Sequence, residues 1–363
     1  MHKAEFFLDK CRAAFLKRFH PNKQNCAQCG DRIATVGERM RGLPEPSIDV
    51  DVVITWADGS DPAFRAQCKQ YHTQLFPGKK LETGRFRDNG ELRYALRAIE
   101  QFAPWVRTIH LLTNNQRPSW LDMGHPKLHL VDHRECIPET YLPTFNSHVI
   151  EAFLHKIPGL AEQYIYVNDD VFLGRPVKKS DFFTSNGMPY CFIDWRPLRK
   201  FGYGWRRTPH SASYYNTLRL LQECGIFSRK DKGFICAHGP YAQTIRNAED
   251  AFRFYEGAIL DFCGNRFRTT QEMAFYCHAA PMWLFEKKRI IPCDERYFYV
   301  QNRQVDRGVY YRILLESQEQ AAPPMFFCIN DTGSAPLKSS WDRDLRDILS
   351  KYFPEPGSME KTG

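Results

Sequence analysis

A chain of 363 residues, 43% hydrophobic and 14% aromatic, can bury a large core as one big domain or two fused ones, which excludes a disordered or fibrous protein. Its 50 Lys and Arg against 42 Asp and Glu leave a net charge of +8. That balance suits an anionic partner such as a nucleotide sugar, a phosphate-linked polymer or a membrane surface, while the lack of any long basic block or nucleic-acid-binding signature argues against nucleic acid.

No run approaches the ~18 apolar residues of a membrane-spanning helix, and the N-terminus lacks the apolar region of a secretion signal, so a cytosolic protein is expected. Residues 1–46 read as an appendage. Phe6, Phe7, Cys11, Ala14, Phe15 and Phe19 recur near helical spacing among Lys3, Lys10, Arg12, Lys17 and Arg18, the pattern of a basic amphipathic helix. Such a helix packs either on the rest of the fold or peripherally on an anionic membrane. The twelve cysteines show no paired framework and read as reduced thiols, many of them buried. Cys26 and Cys29 form the one close pair; His20 and Cys11 are the residues available to complete a zinc set, though the spacing of a structural site is incomplete. Gly42-Leu-Pro-Glu-Pro-Ser47 reads as a linker.

Residues 47–174 carry an alternating pattern. Ile48 to Trp56 is a β-rich apolar run ending in the turn Ala57-Asp-Gly-Ser-Asp-Pro62. A helix follows over 91–102, then strands over 108–113 and 128–131, a helix near 148–155 and a strand over 163–167. Strands alternating with helices imply an α/β fold, a mostly parallel, Rossmann-like sheet flanked by helices, with ligands at the carboxyl ends of its strands. Residues 175–235, including the basic aromatic segment Gly202-Tyr-Gly-Trp-Arg-Arg207, read as an inserted lid. The half from 236 to 363 adds a helix over 248–262, a strand over 326–330 and a terminal helix over 343–353.

The chemistry concentrates in Tyr164-Ile-Tyr-Val-Asn-Asp-Asp170, where an apolar strand delivers Asp169 and Asp170 at its carboxyl end. Two carboxylates there are either ligands for Mg²⁺ or Mn²⁺, which take a few hard oxygens plus substrate phosphates, or the solvated acids of a strand-ending turn.

Further blocks settle that choice, because they resemble, in order, the four conserved regions of the Stealth family. The first is Ile48-Asp-Val-Asp-Val-Val-Ile-Thr-Trp-Ala-Asp-Gly-Ser-Asp-Pro62. The second runs from Arg85-Phe-Arg-Asp-Asn-Gly-Glu-Leu-Arg93 through Leu142-Pro-Thr-Phe-Asn-Ser-His148 and Ile157-Pro-Gly-Leu160 to Asn168-Asp-Asp170. The third is Ala237-His-Gly-Pro240 with Arg268-Thr-Thr-Gln-Glu-Met273. The fourth is Cys328-Ile-Asn-Asp331, followed by Phe353 to Glu360. The resemblance covers about residues 48–360 and is weakest over 175–230. Ala57 stands where Val is usual, and Glu272 where some members have Asp; neither departure removes a charge.

The family includes bacterial capsule polymerases and the eukaryotic N-acetylglucosamine-1-phosphotransferase. The resemblance therefore implies a core akin to GT-A glycosyltransferases and a transfer of sugar-1-phosphate from a UDP-sugar to an oligosaccharide or polysaccharide acceptor. Such a site must position both substrates, neutralise a diphosphate and take a proton from the attacking hydroxyl. On that basis Asp169, Asp170 and Asp331 are expected to hold the cation, His238 to act as general base at the end of a strand over 233–237, and Arg268 to face the phosphoryl oxygens. Asp58, Gly59, Arg87, Asp88, Asn89, Arg93 and Asn330 are expected around the nucleotide sugar. Arg97 reads as a helix-surface charge in an i,i+4 pair, and His148 and His155 as structural histidines. The rivals are a glycosyltransferase that breaks the anomeric bond and a non-catalytic sugar-binding component of a polysaccharide assembly.

Overall fold

The computed structural model describes residues 44–81, 83–194, 208–231, 233–295, 297–301, 306–331 and 339–361. The N-terminal helix expected before residue 44, the Cys26–Cys29 pair with Cys11 and His20, and the aromatic segment over 202–207 lie outside these residues.

A five-stranded sheet carries the fold, in the order β3 (Leu128–Asp132), β2 (Ile109–Thr113), β1 (Val50–Thr55), β4 (Gln163–Asn168), β7 (Tyr241–Thr244). The first four strands are parallel, and β7 closes the edge antiparallel to β4. β1 is central and covered on both faces, which is why its apolar run is nearly continuous. Alternation along the strand sends Val50, Val52 and Ile54 to one core and Val53 to the other. On the first face lies α2 (Glu91–Phe102), preceded in the chain by α1 (Pro62–Leu75). α2 buries Leu92, Ala95, Leu96, Ile99 and Phe102, a stripe at helical spacing. On the second lie α3 (Ser147–Ala152), α4 (Pro209–Glu223) and α5 (Ile245–Cys263), followed by a π-helical turn over Phe275–Ala279 and α6 (Ala280–Glu286).

β4 passes through Asp169 and Asp170 directly into β5 (Val171–Leu173), which belongs to a second sheet ordered β5, β10 (Phe326–Asn330), β9 (Tyr297–Gln301). β10 runs antiparallel to β5, and Ile329 N donates to the Asp170 carbonyl at 3.1 Å. The end of β10, with Asn330 and Asp331, is thereby set beside the acidic pair. A third, two-stranded sheet joins β6 (Tyr190–Phe192) to β8 (Ile291–Cys293). Helices α7 (Arg307–Glu319) and α8 (Ser339–Tyr352) complete the described chain, and no helix in it is long and apolar enough to cross a membrane.

Three expectations need correction. Within the supposed lid over 175–235, Phe182, Phe183, Tyr190 and Phe192 are buried in the first core, and α4 buries Tyr214 and Leu221 in the second. These described parts are core elements. Residues 233–237 form no strand: Gly233 has φ +60°, and the segment makes a single bridge, Cys236 to Ile193, through Ala237 N to Phe192 O and Asp194 N to Ile235 O, before Pro240, which has no N–H to extend a ladder. Arg97 pairs not along its helix but with Glu360, through Nε at 2.5 Å and Nη2 at 3.1 Å, and donates to Phe353 O, docking the C-terminal segment on α2.

One buried carboxylate, paired with an exposed guanidinium, ties the central strands together. Asp51 is fully buried in β1 and accepts Arg107 Nε at 2.8 Å and Nη2 at 2.6 Å, with His110 Nε2 at 2.9 Å and Ala161 N at 2.8 Å. Burial pushes the Asp51 carboxyl up, but the Arg107 and His110 bonds and the Ala161 N–H outweigh it and bring it down to about 2. Replacing Asp51 with Asn leaves the exposed Arg107 to solvent but weakens the buried bonds to His110 and Ala161 N, and is expected to cost ~1–3 kcal/mol in urea denaturation at neutral pH. Because the folded pKa lies below the ordinary carboxylate value, the wild-type contribution is complete above about pH 4. About 2 kcal/mol is expected to vanish as pH falls through about 2, a slope that Asp51→Asn should lack.

Candidate active site

Asp169 and Asp170 sit where β4 hands over to β5. Asp170 Oδ2 accepts Asn330 Nδ2 at 2.9 Å and the Cys328 thiol at 3.5 Å, while Oδ1 faces His238 Nε2 at 3.6 Å. That gap exceeds a hydrogen bond. Both facing atoms are buried without a hydrogen-bond partner among the described residues. Burial raises the Asp170 carboxyl, yet His238, Asn330 and Cys328 together hold it below its ordinary value. Asp169 goes the other way: burial first, then the charges of Asp170, Glu91 and Asp88, push it well up. Two adjacent half-buried acids, one with its carboxyl pushed up by burial and like charge, plus an unsatisfied Oδ1, fit a dication held by Asp169 and Asp170.

Asp331 departs from the expected cation set. It accepts Arg87 Nη1 at 2.7 Å, so its charge is already met by a guanidinium, and the groups drawn to Asp170 are instead His238 and Cys328. The Asp170, His238 and Cys328 donor atoms lie within 4.8 Å of one another.

The segments 142–148 and 266–273, far apart in sequence, are zipped together. Phe145 N donates to Arg266 O at 2.9 Å, Phe145 stacks on Phe267 with ring centres 5.2 Å apart, and Arg268 Nη2 donates to Ser147 Oγ. Buried Glu272 accepts Asn146 Nδ2 at 2.9 Å and Thr269 N at 2.7 Å and bonds His148 Nδ1 at 2.9 Å. His148 is therefore a buried structural partner of Glu272, its imidazole held well below the ordinary value by burial and then by Arg268. His155 is buried against the rings of Phe252 and Phe275.

The zip also presents a residue that sequence reasoning missed. Asn146 caps α3 by accepting His148 N, and one turn on from Ser147 the helix buries Glu151. Burial lifts the Glu151 carboxyl to about 7 against the pull of Arg268 and His238. Glu151, Arg268, His238 and Asp170 thus form one electrostatic cluster. The sequence signal was available as an Asn N-cap followed by Ser147 and Glu151 at i,i+4 spacing.

Around the first block, most of the supposed nucleotide contacts serve the fold. Asp58 Oδ1 accepts Ser60 N at 2.7 Å, and Gln116 brackets Asp58 through its backbone N and O. A Cβ on Gly59 would lie 2.3 Å from Phe86 O, so the loop needs glycine to pass there. Asn89 is buried and donates to Glu91 at 2.7 Å; Asp88 accepts Gly90 N at 2.8 Å. Arg93 lies over the Trp120 ring at 4.7 Å and pairs with Glu360 at 3.5 Å, committed to the C-terminal segment rather than the acidic cluster. Of the expected set, Arg87 and Asn330 are the residues brought directly to the carboxylates.

A mostly parallel α/β sheet whose strand β4 ends in an acidic pair, faced by an imidazole, defines a ligand site at strand carboxyl ends. Residues 85–191 match Stealth protein conserved region 2. The chain is 35% identical over 309 residues to a capsular polysaccharide phosphotransferase of Actinobacillus pleuropneumoniae, covering 84% of this chain and 82% of that protein. It is 35% identical to one of Haemophilus influenzae, covering 86% and 85%. An exopolysaccharide phosphotransferase of Streptomyces coelicolor is 37% identical over 91% of this chain, which spans only 55% of that longer protein. The chain belongs to the Stealth family of polysaccharide phosphotransferases. Among solved structures it is similar to the galactosyltransferase LgtC at 10% identity and a TM-score of 0.42, over 83% of this chain and 95% of that one.

The position of His238 depends on its neighbour. A Cβ at Gly239 would lie 2.1 Å from the buried Phe326 ring. Gly239→Ala is expected to lower stability by ~1–3 kcal/mol in chemical denaturation and, by displacing the loop, to reduce activity alongside.

Proposed function

We propose that the site transfers a hexose-1-phosphate, in the preferred case an N-acetylhexosamine-1-phosphate, from a UDP-sugar to a sugar hydroxyl. The product is a phosphodiester in capsular or surface polysaccharide. The observation that carries this reading is the pair Asp170 Oδ1 and His238 Nε2, 3.6 Å apart and unbonded, in the same cluster as Arg268 and Glu151. Relatives named as capsular and exopolysaccharide phosphotransferases support it.

In this reading His238 takes the proton of the acceptor hydroxyl, and the Asp170 carboxylate, which faces its Nε2, stabilises the imidazolium that results. The hydroxyl oxygen bonds to the β-phosphorus, and the bond from that phosphorus to the bridging oxygen breaks. UMP leaves and the anomeric C–O bond is untouched. The Arg268 guanidinium, steered by Ser147 and flanked by Glu151 and Glu272, offers its planar fork to the phosphoryl oxygens. Glu151 positions Arg268 and His238. Mg²⁺ or Mn²⁺ held by Asp169 and Asp170 would supply charge neutralisation of the diphosphate. Asp58 and Gly59 shape the loop, and Arg87 and Asn330 border the donor. We place the donor half in residues 47–174 and the second catalytic half in 236–363, and site the enzyme in the cytoplasm or at the inner face of the cytoplasmic membrane, with any membrane contact peripheral.

Incubating the protein with UDP-sugars, Mg²⁺ and oligosaccharide acceptors is expected to release UMP. Release of UDP would mean glycosyl transfer, and no nucleotide release would leave a binding component. Excess chelator and Asp170→Asn should each lower the rate by orders of magnitude. His238→Ala should slow turnover ~10²–10⁴-fold with donor affinity nearly unchanged. Arg268→Ala should weaken donor binding and rate together, with Lys a poor rescue.

A further inference from the structure

The mechanism leaves unused a second group of metal-ligating side chains. His210 stands at the start of α4, and Cys277 and His278 are neighbours in the π-helical turn over Phe275–Ala279. One donor atom from each lies within 4.8 Å of the other two. Tetrahedral zinc holds N and S ligands ~3.3–3.8 Å apart, a spacing compatible with three donors that all lie within 4.8 Å of one another.

The hydrogen bonds around His278 fix its tautomer. Ser213 Oγ donates its single hydrogen to His210 O at 2.7 Å, so its 2.9 Å contact with His278 Nδ1 is one in which the imidazole donates. Nε2 then carries the bare lone pair. His278 is fully buried, and Nε2 has no hydrogen-bond partner among the described residues. An unmet buried acceptor costs ~1–3 kcal/mol, and a ring nitrogen oriented by a bond on its far side is how metal-binding histidines are held. Burial also keeps this imidazole neutral, the ligating form. A π-helical turn is a costly local geometry that recurs at functional sites, and here it brings adjacent residues 277 and 278 to one side.

We propose that His210, Cys277 and His278 form a binding site for a borderline-soft dication, Zn²⁺ by its chemistry, with the fourth position left to an oxygen ligand. The donor set is two imidazoles and a thiol with no carboxylate, which disfavours Mg²⁺ and Ca²⁺ and separates this site from the oxygen pair of Asp169 and Asp170. Binding replaces the thiol proton with a sulfur–metal bond and releases one proton to solvent. The metal would pin the start of α4 to the turn that leads into α6. Its charge would act on His148, which already responds to both His210 and His278.

The test uses full-length protein carrying Cys26→Ser and Cys29→Ser, stripped with chelator and reductant, desalted and titrated anaerobically with Co²⁺. One equivalent should give a thiolate-to-cobalt charge-transfer band and the strong visible bands of a tetrahedral site, both displaced by Zn²⁺. Cys277→Ser and His278→Ala should abolish the charge-transfer band, and Ser213→Ala should weaken cobalt binding ~10–100-fold. Cys328→Ser and Asp170→Asn should leave it intact. If Cys277→Ser or His278→Ala fails to fold, His210→Ala, in the first turn of α4, should weaken binding at least ~10-fold. No band in the parent protein, or a band that survives Cys277→Ser or disappears with Cys328→Ser, overturns the proposal.

Discussion

Two adjacent carboxylates at the junction of two sheets are expensive, and the surroundings of Asp169 and Asp170 follow from that cost. Asp170 keeps its charge because Asn330 and the Cys328 thiol hold one oxygen and His238 faces the other. Asp169 lacks such partners among the described residues, and burial with the charges of Asp170, Glu91 and Asp88 pushes its carboxyl well up. The asymmetry is set by β10: pairing antiparallel with β5 places Cys328 against Val171 and brings Asn330 alongside. A shift of one residue in that register would turn Asn330 away and leave both acids in the state of Asp169.

The other wall of the site depends on a long-range zip rather than a strand. Glu272 collects Asn146, His148 and Thr269, and Phe145 stacks on Phe267, so α3 and the 266–273 segment behave as one unit. Arg268 and Glu151 belong to opposite partners of that unit, and the Arg268 charge acts on the Glu151 carboxyl. An opposite charge beside a buried carboxyl lowers its pKa, and burial raises it. At Glu151 burial wins and the carboxyl stands near 7, so the residue is poised between its two charge states where a phosphate would arrive.

The parallel sheet was legible because apolar runs and turns alternate: the expected strand over 326–330 and helix over 91–102 match β10 and α2. The acidic pair was legible because it ends such a run. Three features were not. Residues 233–237 look like a strand by composition, but Gly233 and Pro240 keep them to a single bridge. Asn89 and Arg93 carry site-like chemistry, but their partners, Glu91 in one case and Trp120 with Glu360 in the other, are tertiary facts that polarity cannot reveal. Glu151 sat in a helix too short for periodicity to flag, and only the arrival of Arg268 from residues far away gives it meaning.

The charge balance around the acidic pair constrains the order in which ligands can arrive. Asp58, Asp88, Glu91 and Asp169 interact through their charges, and Arg87, the cation at this edge, is bound to Asp331. A diphosphate approaching this edge meets carboxylates first, and in a buried setting like charges at ~4–6 Å repel strongly. Arg268 stands on the far wall with Glu151 and Glu272 beside it, so its own charge is largely spent on neighbours. Under the proposed mechanism, a dication arriving with the phosphates would offset this cluster of carboxylates. On that proposal metal and donor would each raise the affinity of the other by the same factor, because linkage is reciprocal.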